Sequence, residues 1–389
     1  MTDEIQHFVE GVSQKGHFDS EGSFTVDLEA ESHKLAAHRL KNPGDYVLKF
    51  LQAAVVGSAP GFEMQVGVRR LQINFEYKPM CCVEGERFLR HLSIGLQSAR
   101  AFAKTVSVGN GAKDQPLQRL DFSVGGRLTI VLKRGFTRNG LLSVFHRAAE
   151  HRVLARRAIH CPVPIKVDGW PIPRAWQPLT GRSKLAHLPN QPAFYALQAY
   201  LEDPALPQFD YPKVSGKGTG KSQMPVLTLS RVKQETESCR RCSLAAAVSS
   251  ELRGKAQVDF VQDGVLLDRA FAKLRFPGLS AVVSAEDLET DLSTLSLVKN
   301  ESFMARGQAL LRSLPELAKH LRKQQSVIFK SLPQPLFAGN APVGELSMQS
   351  SYSPGAVKPT NTHFRQLLPR AEKIVTAWPE IASVEFEEL

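Results

Sequence analysis

No stretch of this sequence approaches the roughly 20 consecutive apolar residues that a membrane-spanning helix requires. Its first residues, MTDEIQHFVEG, lack the basic segment and apolar run of a secretory signal. The expectation is a cytoplasmic protein with no membrane partner. Cysteine is sparse. Five cysteines in 389 residues, an odd number, exclude a disulfide framework as the basis of the fold. Cys239 and Cys242 form a CxxC and Cys81 and Cys82 are adjacent, so four thiolates are available for zinc. A second CxxC is missing, however, and adjacent cysteines are an awkward pair of ligands, so no metal is expected. The polar bias of a disordered chain is also absent: 42% hydrophobic and 22% charged residues are those of a globular protein. The length allows two or three domains.

Positive charge is in excess, formally +11. A basic surface attracts nucleic acid, anionic membranes or acidic partners and specifies none of them. The basic residues fall in HRAAEHRVLARR (146–157), at Lys217 and Lys221, and in KHLRKQQ (319–325). They do not form one aromatic-studded stripe, which favours solvated helix faces over a dedicated nucleic-acid site.

Along the chain, SFTVDLEAESHKLAAHRL reads as a short strand followed by an amphipathic helix from near Asp27. A second helix follows in NPGDYVLKFLQAAVVGSAP, with Asn42 as N-cap, Pro43 at the first helical position and Asp45 in the first turn. Val47, Leu48, Leu51, Ala54 and Val55 recur at helical spacing, and Gly57 and Pro60 end it. FEMQVGV and LQINFEY alternate as paired strands around Arg69 and Arg70. Residues 83–104 are helical, and strands are expected in KTVSVGN, QRLDFSV and RLTIVLKR. Residues 141–158 read as one basic amphipathic helix. CPVPIKVDGWPIP reads as two short strands about an Asp168-Gly169 turn, and QVDFVQDGVLLDR as a hairpin about Asp263-Gly264. A helix of about thirty residues is expected to end near Lys330. The order suggests an α+β sandwich with a mixed sheet covered on one face.

SGKGTGKS (215–222) is one residue from a P-loop, with Ser215 where the first glycine belongs. Pro225 follows within a few residues and removes the helix whose amides would hold the phosphates, so no phosphate cradle is expected there.

In order, these segments resemble the ATP-binding module of the GHKL superfamily (the Bergerat-type sandwich), most closely the ninety-kilodalton heat-shock chaperones. VLKFLQAAVVGSA resembles that family's ELxxNAxDA helix. LSIGLQSARAFAKTVSV is similar to its glycine-rich lid with the helix and strand that follow, and LDFSVGGRLTI to its SxxGGxFTV strand pair. AEHRVLARRAIHCPVPIKV takes the place of the closing helix and strand. FPGLSAVVSAEDLETDLSTLSL resembles the middle-domain segment whose loop reaches the ATP phosphate. The resemblance covers roughly residues 20–170 and 255–305. It implies a leader (1–19), a GHKL-like domain (20–158), a middle-domain-like α+β domain (159–305, with a loop at 205–225), a helical extension (306–330) and a flexible tail with a terminal helix (331–389). The chain stops short of the family's C-terminal dimerisation domain, so its clamp cycle is not expected.

Carried over residue by residue, the resemblance implies that the chemistry is eroded. The family's general-base glutamate and magnesium-binding asparagine, four apart on one helical face, are here Lys49 and Ala53, with Val56 further along the same helix. A lysine ammonium accepts no hydrogen bond, and alanine offers no ligand. NFEYKPM lacks the adenine-reading aspartate and its glycines, leaving Glu76 as the nearest acid. Of the lid glycines only Gly95 remains. Thr129 matches the adenine-side threonine, and Thr294 replaces the arginine that would stabilise transferred phosphoryl charge. Lys49 is open to two readings, a solvent-facing lysine on an amphipathic helix or a counter-ion for a bound anion.

His91, His146, His151 and His160 show no acidic partner at a telling spacing, and Asp168 and Asp263 read as turn residues rather than catalytic acids. The functional expectation is a catalytically eroded, chaperone-like or scaffolding component that binds protein partners or clients. No cofactor is expected, or ATP held without hydrolysis. Its rivals are an ATP-binding chaperone ATPase or nucleotide switch that uses Lys49, and a basic nucleic-acid-associated protein.

Overall fold

The computed structural model describes residues 42, 44–110, 124–176, 195–213, 227–249, 256–272, 279–291 and 293–324. The expected leader, the strand and helix before residue 41, most of the QRLDFSV strand, SGKGTGKS and the terminal helix lie outside the described residues.

Helix α1 (Tyr46–Val56) follows a turn in which the Asp45 N–H donates to the Asn42 carbonyl at 3.1 Å and the Asn42 amide donates to the Asp45 carboxylate at 3.1 Å. It opens three residues later than an Asn42 cap predicts, because Gly44 and Asp45 first close short turns, with the Val47 N–H on the Gly44 carbonyl. Gly44 passes so close to the backbone at Ala149 that a Cβ would come within 2.8 Å of its carbonyl carbon. Tyr46 through Ala54 are all buried. The apolar stripe read from the sequence is therefore only part of a helix enclosed on every side.

Strands β1 (Phe62–Val66) and β2 (Arg70–Tyr77) form the expected antiparallel pair, and helix α2 (Cys82–Arg100) follows. With β3 (Thr105–Asn110) and β4 (Gly126–Lys133) the two strands build a sheet in the order β3-β4-β2-β1, antiparallel across these four strands. Phe62, Met64, Leu71, Ile73, Phe75, Leu128 and Ile130 alternate onto the buried face, where Phe75 and Tyr77 meet Phe88 of α2. The opposite face, with Gln72, Asn74 and Glu76, is polar and half-exposed to exposed. This is the one-sided covering that period-2 alternation predicts.

The basic segment expected as one helix is two, α3 (Arg138–Ser143) and α4 (Ala149–Arg157), with His146 between them at φ 53°. Asn139 accounts for the break: its side-chain oxygen accepts the Ala149 N–H at 2.7 Å and caps α4, which a continuous helix would not allow. A buried polar knot holds this region. Glu150 accepts from the Tyr46 hydroxyl at 2.8 Å, from Arg134 at 2.5 Å and from Asn139 at 3.0 Å. Burial first, and then the Glu150 charge, raise the Tyr46 hydroxyl well above its ordinary range.

Strands β5 (Ile165–Val167) and β6 (Trp170–Pro171) extend the first sheet through a parallel pairing of β5 with β1. The sheet thus runs past residue 158, where the sequence reading ended the first domain. The turn between them places Asp168 at φ 51° and Gly169 at φ 81°, as a type I′ hairpin demands.

The second half holds β7 (Tyr195–Leu201), β8 (Phe209–Pro212), β9 (Leu227–Arg231), β10 (Gln234–Glu235), β11 (Cys239–Cys242), β12 (Leu244–Ser249), β13 (Ala256–Gln262), β14 (Val265–Ala272) and β15 (Leu279–Ser284), followed by helix α5 (Glu301–Lys323). The expected loop at 205–225 therefore contains a strand, β8. Six strands form a second mixed sheet, β14-β13-β15-β12-β7-β9, and β10-β11-β8 form a small antiparallel one. Alternate residues of β12 are buried on both faces. Leu244, Ala246 and Val248 share a core with α5, where the Phe260 and Phe303 rings meet at 4.7 Å, tilted by 32°, while Ala245 and Ala247 face Trp176, Tyr200 and Tyr211. The first core is continuous from α1 through the second sheet to α5. The architecture is α+β with mixed sheets, and no described helix is long and apolar enough to cross a membrane.

Candidate functional site

Lys49 is the largest departure from what a helix of this kind should bury, since lysine is almost never fully enclosed unless paired. Here it is 0% exposed. Its Nζ donates to Gln52 Oε1 at 2.7 Å and to the backbone carbonyl of Thr294 at 3.0 Å, and Gln52 in turn donates to the Gln262 carbonyl at 3.2 Å. Burial lowers the Lys49 pKa from 10.5 to about 7; Asp263 and Asp291 oppose the shift, and Arg157 and Arg90 add to it. The solvent-facing reading of Lys49 does not match this placement, and two of its three donors are taken by a carbonyl and an amide oxygen of this chain.

A β-hairpin closes the site from the other side. The β13–β14 turn, with Asp263 at φ 48° and Gly264 at φ 73°, inserts against α1 and α2. A Cβ on Gly264 would lie 3.1 Å from Val55 and 2.8 Å from Pro162, so only glycine fits. The Asp263 carboxylate receives Arg87 at 2.8 Å and His91 at 2.9 Å, both from α2, and Arg87 also reaches Glu286 at 2.6 Å. Burial lowers the His91 pKa, against the pull of Asp263. On the α4 side, Arg157 donates to the carbonyls of Leu266 at 2.8 Å, Leu267 at 3.1 Å and Leu295.

Of the sequence-predicted positions, the fold brings Lys49, Ala53 and Thr294 to one seam. Ala53 is fully buried and Val56 packs half-buried against the core. Thr294 sits at φ 52° in a turn tied by Asp291, whose side chain accepts the Ser293 N–H at 3.1 Å and whose carbonyl accepts the Thr294 N–H at 2.8 Å. Gly95 is not in a lid. It lies inside α2, where a Cβ would meet the Phe50 ring at 2.7 Å and Lys49 Cβ at 3.2 Å, so its role is the close crossing of α1 and α2. Among the described residues, 78–81 separate β2 from α2 and 101–104 separate α2 from β3, so neither end of α2 carries a lid. Glu76 and Thr129 lie on the polar face of the first sheet, where Thr129 donates to Asn74 at 3.0 Å. The sheet itself separates them from Lys49 and Ala53.

Outside the seam lies an open cavity of about 490 Å³, lined by Arg90, Ser93, Ile94 and Gln97 of α2 and by Thr290, Asp291 and Thr294. One cation, one carboxylate and several hydroxyl or amide groups face it, and Thr294 stands between it and Lys49.

The histidines depart most from expectation. All four, which show no acidic partner at a telling spacing in the sequence, have one in the fold: His91 with Asp263, His146 and His151 with Asp168 at 3.1 and 2.7 Å, and His160 with Asp259 at 2.8 Å. The turn aspartates thus do two things at once. His160 also meets the Tyr211 hydroxyl at 3.2 Å, and Asp259 takes Arg269 through both oxygens. His160 and Asp259 are 1% and 0% exposed, so this pair is an internal brace. The four candidate zinc cysteines do not converge: Cys81 and Cys82 are exposed at the start of α2, Cys242 is buried, and all are free. Compared with known proteins, the chain matches no family model and no curated protein.

Proposed function

We propose that this chain is a GHKL-like protein whose nucleotide site is closed by its own residues, and that it acts as a chaperone-like or scaffolding component that binds protein partners. One observation carries this reading. At the position where the resembled family places its general base, Lys49 is buried and its ammonium is satisfied by Gln52 and by the Thr294 carbonyl. Lys49 turns two of its donors to protein oxygens rather than to a bound phosphate, and Ala53 cannot hold magnesium. The second sheet's hairpin lies on the same helix, so the space is filled by protein.

A surface for partners is available elsewhere. Leu141, Val144 and Phe145, three and four residues apart around the end of α3, leave large apolar side chains exposed, Phe145 at 70%.

Calorimetric titration of the full chain with ATP, with and without magnesium, tests the reading. The expected result is no heat up to millimolar ligand and no change in melting temperature. A ligand that binds only the folded state at a hundred times its Kd would add about 2.7 kcal/mol, which melting detects readily. Binding that needs no magnesium would replace this reading with an inert nucleotide switch using the cavity beside Arg90. Turnover abolished by Lys49→Met would overturn it.

A further inference from the structure

We infer that His146, His151 and Asp168 form a binding site for one divalent transition-metal ion of the zinc type. This inference is independent of the nucleotide-site reading, because the three residues lie at the β5–β6 turn and the α3–α4 junction.

His146 Nδ1 and His151 Nε2 converge on a single oxygen, Asp168 Oδ2, at 3.1 and 2.7 Å. All three candidate donor atoms lie within 4.8 Å of one another. With metal–nitrogen and metal–oxygen distances of about 2.0–2.2 Å, donors of a tetrahedral ion stand about 3.3 Å apart. To admit the ion the two histidine–aspartate distances must open from 3.1 and 2.7 Å to about 3.3 Å, and the two ring nitrogens, now within 4.8 Å of each other, must reach the same spacing by rotation of the exposed His146 ring. Two imidazoles and a carboxylate suit Zn²⁺ and its neighbours, not Ca²⁺ or Mg²⁺, which prefer oxygen donors.

Three features prepare the cluster. Asp168 is fixed by its I′ turn, and its other oxygen, Oδ1, accepts the Val66 N–H at 2.7 Å, the outer hydrogen bond that orients a ligating carboxylate. His146 is held at φ 53°, a conformation costly for a non-glycine residue, and this break between α3 and α4 aims its ring at Asp168. The two rings meet edge to face at 5.6 Å. His151 is enclosed at 2% side-chain exposure, whereas His146 and Asp168 are at 23% and 17%. One side of the cluster thus opens to solvent, so three protein donors leave a fourth position for water or an external ligand.

The alternative is a hydrogen-bonded clip that holds the turn to α4 and binds nothing. The full chain, freed of any tag and treated with chelator, is titrated calorimetrically with Zn²⁺ and spectroscopically with Co²⁺, in a background carrying Cys81→Ser and Cys82→Ser. The expected result is one equivalent bound, a visible Co²⁺ spectrum of tetrahedral type without a thiolate charge-transfer band, and a Zn²⁺-dependent rise in melting temperature. His146→Asn, chosen because asparagine tolerates positive φ, should weaken Zn²⁺ at least tenfold while leaving the metal-free melt nearly unchanged. Asp168→Asn, which keeps the turn, should weaken it further. No stoichiometric binding, a sulfur-ligated Co²⁺ spectrum, or an affinity unmoved in His146→Asn would overturn the inference in favour of the clip.

Discussion

Lys49 on the first described helix donates its ammonium to the carbonyl of Thr294, 245 residues further along the chain, at 3.0 Å. The bond joins the two halves of the fold through a group that is far from its usual protonation equilibrium, and this makes their union sensitive to pH.

The sign follows from the two states. Unfolded, Lys49 titrates near its ordinary value of 10.5; folded, burial holds it at about 7. Below pH 7 both states carry the proton and the fold bears the full cost of a buried charge. Between about 7 and 10.5 the unfolded chain holds a proton that the native state has released, so stability rises with pH. Lys49→Met removes this dependence. It also leaves Gln52 Oε1 and the Thr294 carbonyl without their donor, a cost of about 1–3 kcal/mol each that does not vary with pH. In urea melts at pH 6, 7.5 and 9, wild-type stability minus that of Lys49→Met should therefore climb by up to about 1.4 kcal/mol per pH unit above pH 7. A difference that stays flat would mean Lys49 keeps its proton in the fold.

Asp263 supports the same seam through two separable contributions, its turn and its charge. Asn is favoured at positive φ, so Asp263→Asn keeps the I′ turn while removing the ion pair with Arg87 and weakening the bond from His91. Arg87 is 35% exposed, so solvent compensates in part, and a loss of about 1–2 kcal/mol is expected. Asp263→Ala adds the cost of alanine at φ 48° and should be clearly worse than Asp263→Asn. Equal losses in denaturant melts would assign the whole effect to charge.

These residues also mark where the sequence was readable. The Asp-Gly pairs at 168 and 263 announced their turns because only a few residue types accept two successive positive φ values, a local constraint. The α1 helix and the β1–β2 pair were legible for the same reason, since their periodicity is contained in a dozen residues. The histidine partners were not. His91 and Asp263 are 172 positions apart and His160 and Asp259 are 99 apart, so no spacing rule connects them. The enclosure of Lys49 is not legible because a lysine on a helix defaults to solvent, and it depends on segments more than two hundred residues away. The resemblance places Glu76 and Thr129 at the pocket by their order along the chain, and the pleat of β2 and β4 turns both to the other face. The single basic helix failed on one side chain, Asn139, whose capping role depends on the fold rather than on its neighbours.

Gly95 separates a packing role from a ligand role. A methyl group there would press on the Phe50 ring, which is fully buried, at 2.7 Å. Gly95→Ala should cost about 1–3 kcal/mol despite the better helix propensity of alanine. The loss should be the same with and without ATP. A neutral or stabilising substitution would show that α1 and α2 can separate, and would reopen the case for a movable lid.

The exposed side chains at the end of α3 distinguish a binding surface from an ordinary one. Val144 and Phe145 are 62% and 70% exposed and lie outside both cores. Replacing both with serine removes little that the fold buries, so stability should change by no more than about 0.5 kcal/mol. If the chain binds partly unfolded proteins through apolar contact, the double variant should lose most of its capacity to suppress light scattering from a heat-unfolded test protein. Both readouts are needed, because a destabilised chain would lose that capacity for a trivial reason. Retained suppression at unchanged stability would move the partner surface away from α3, whereas lost suppression would place it beside His146, next to the inferred metal site.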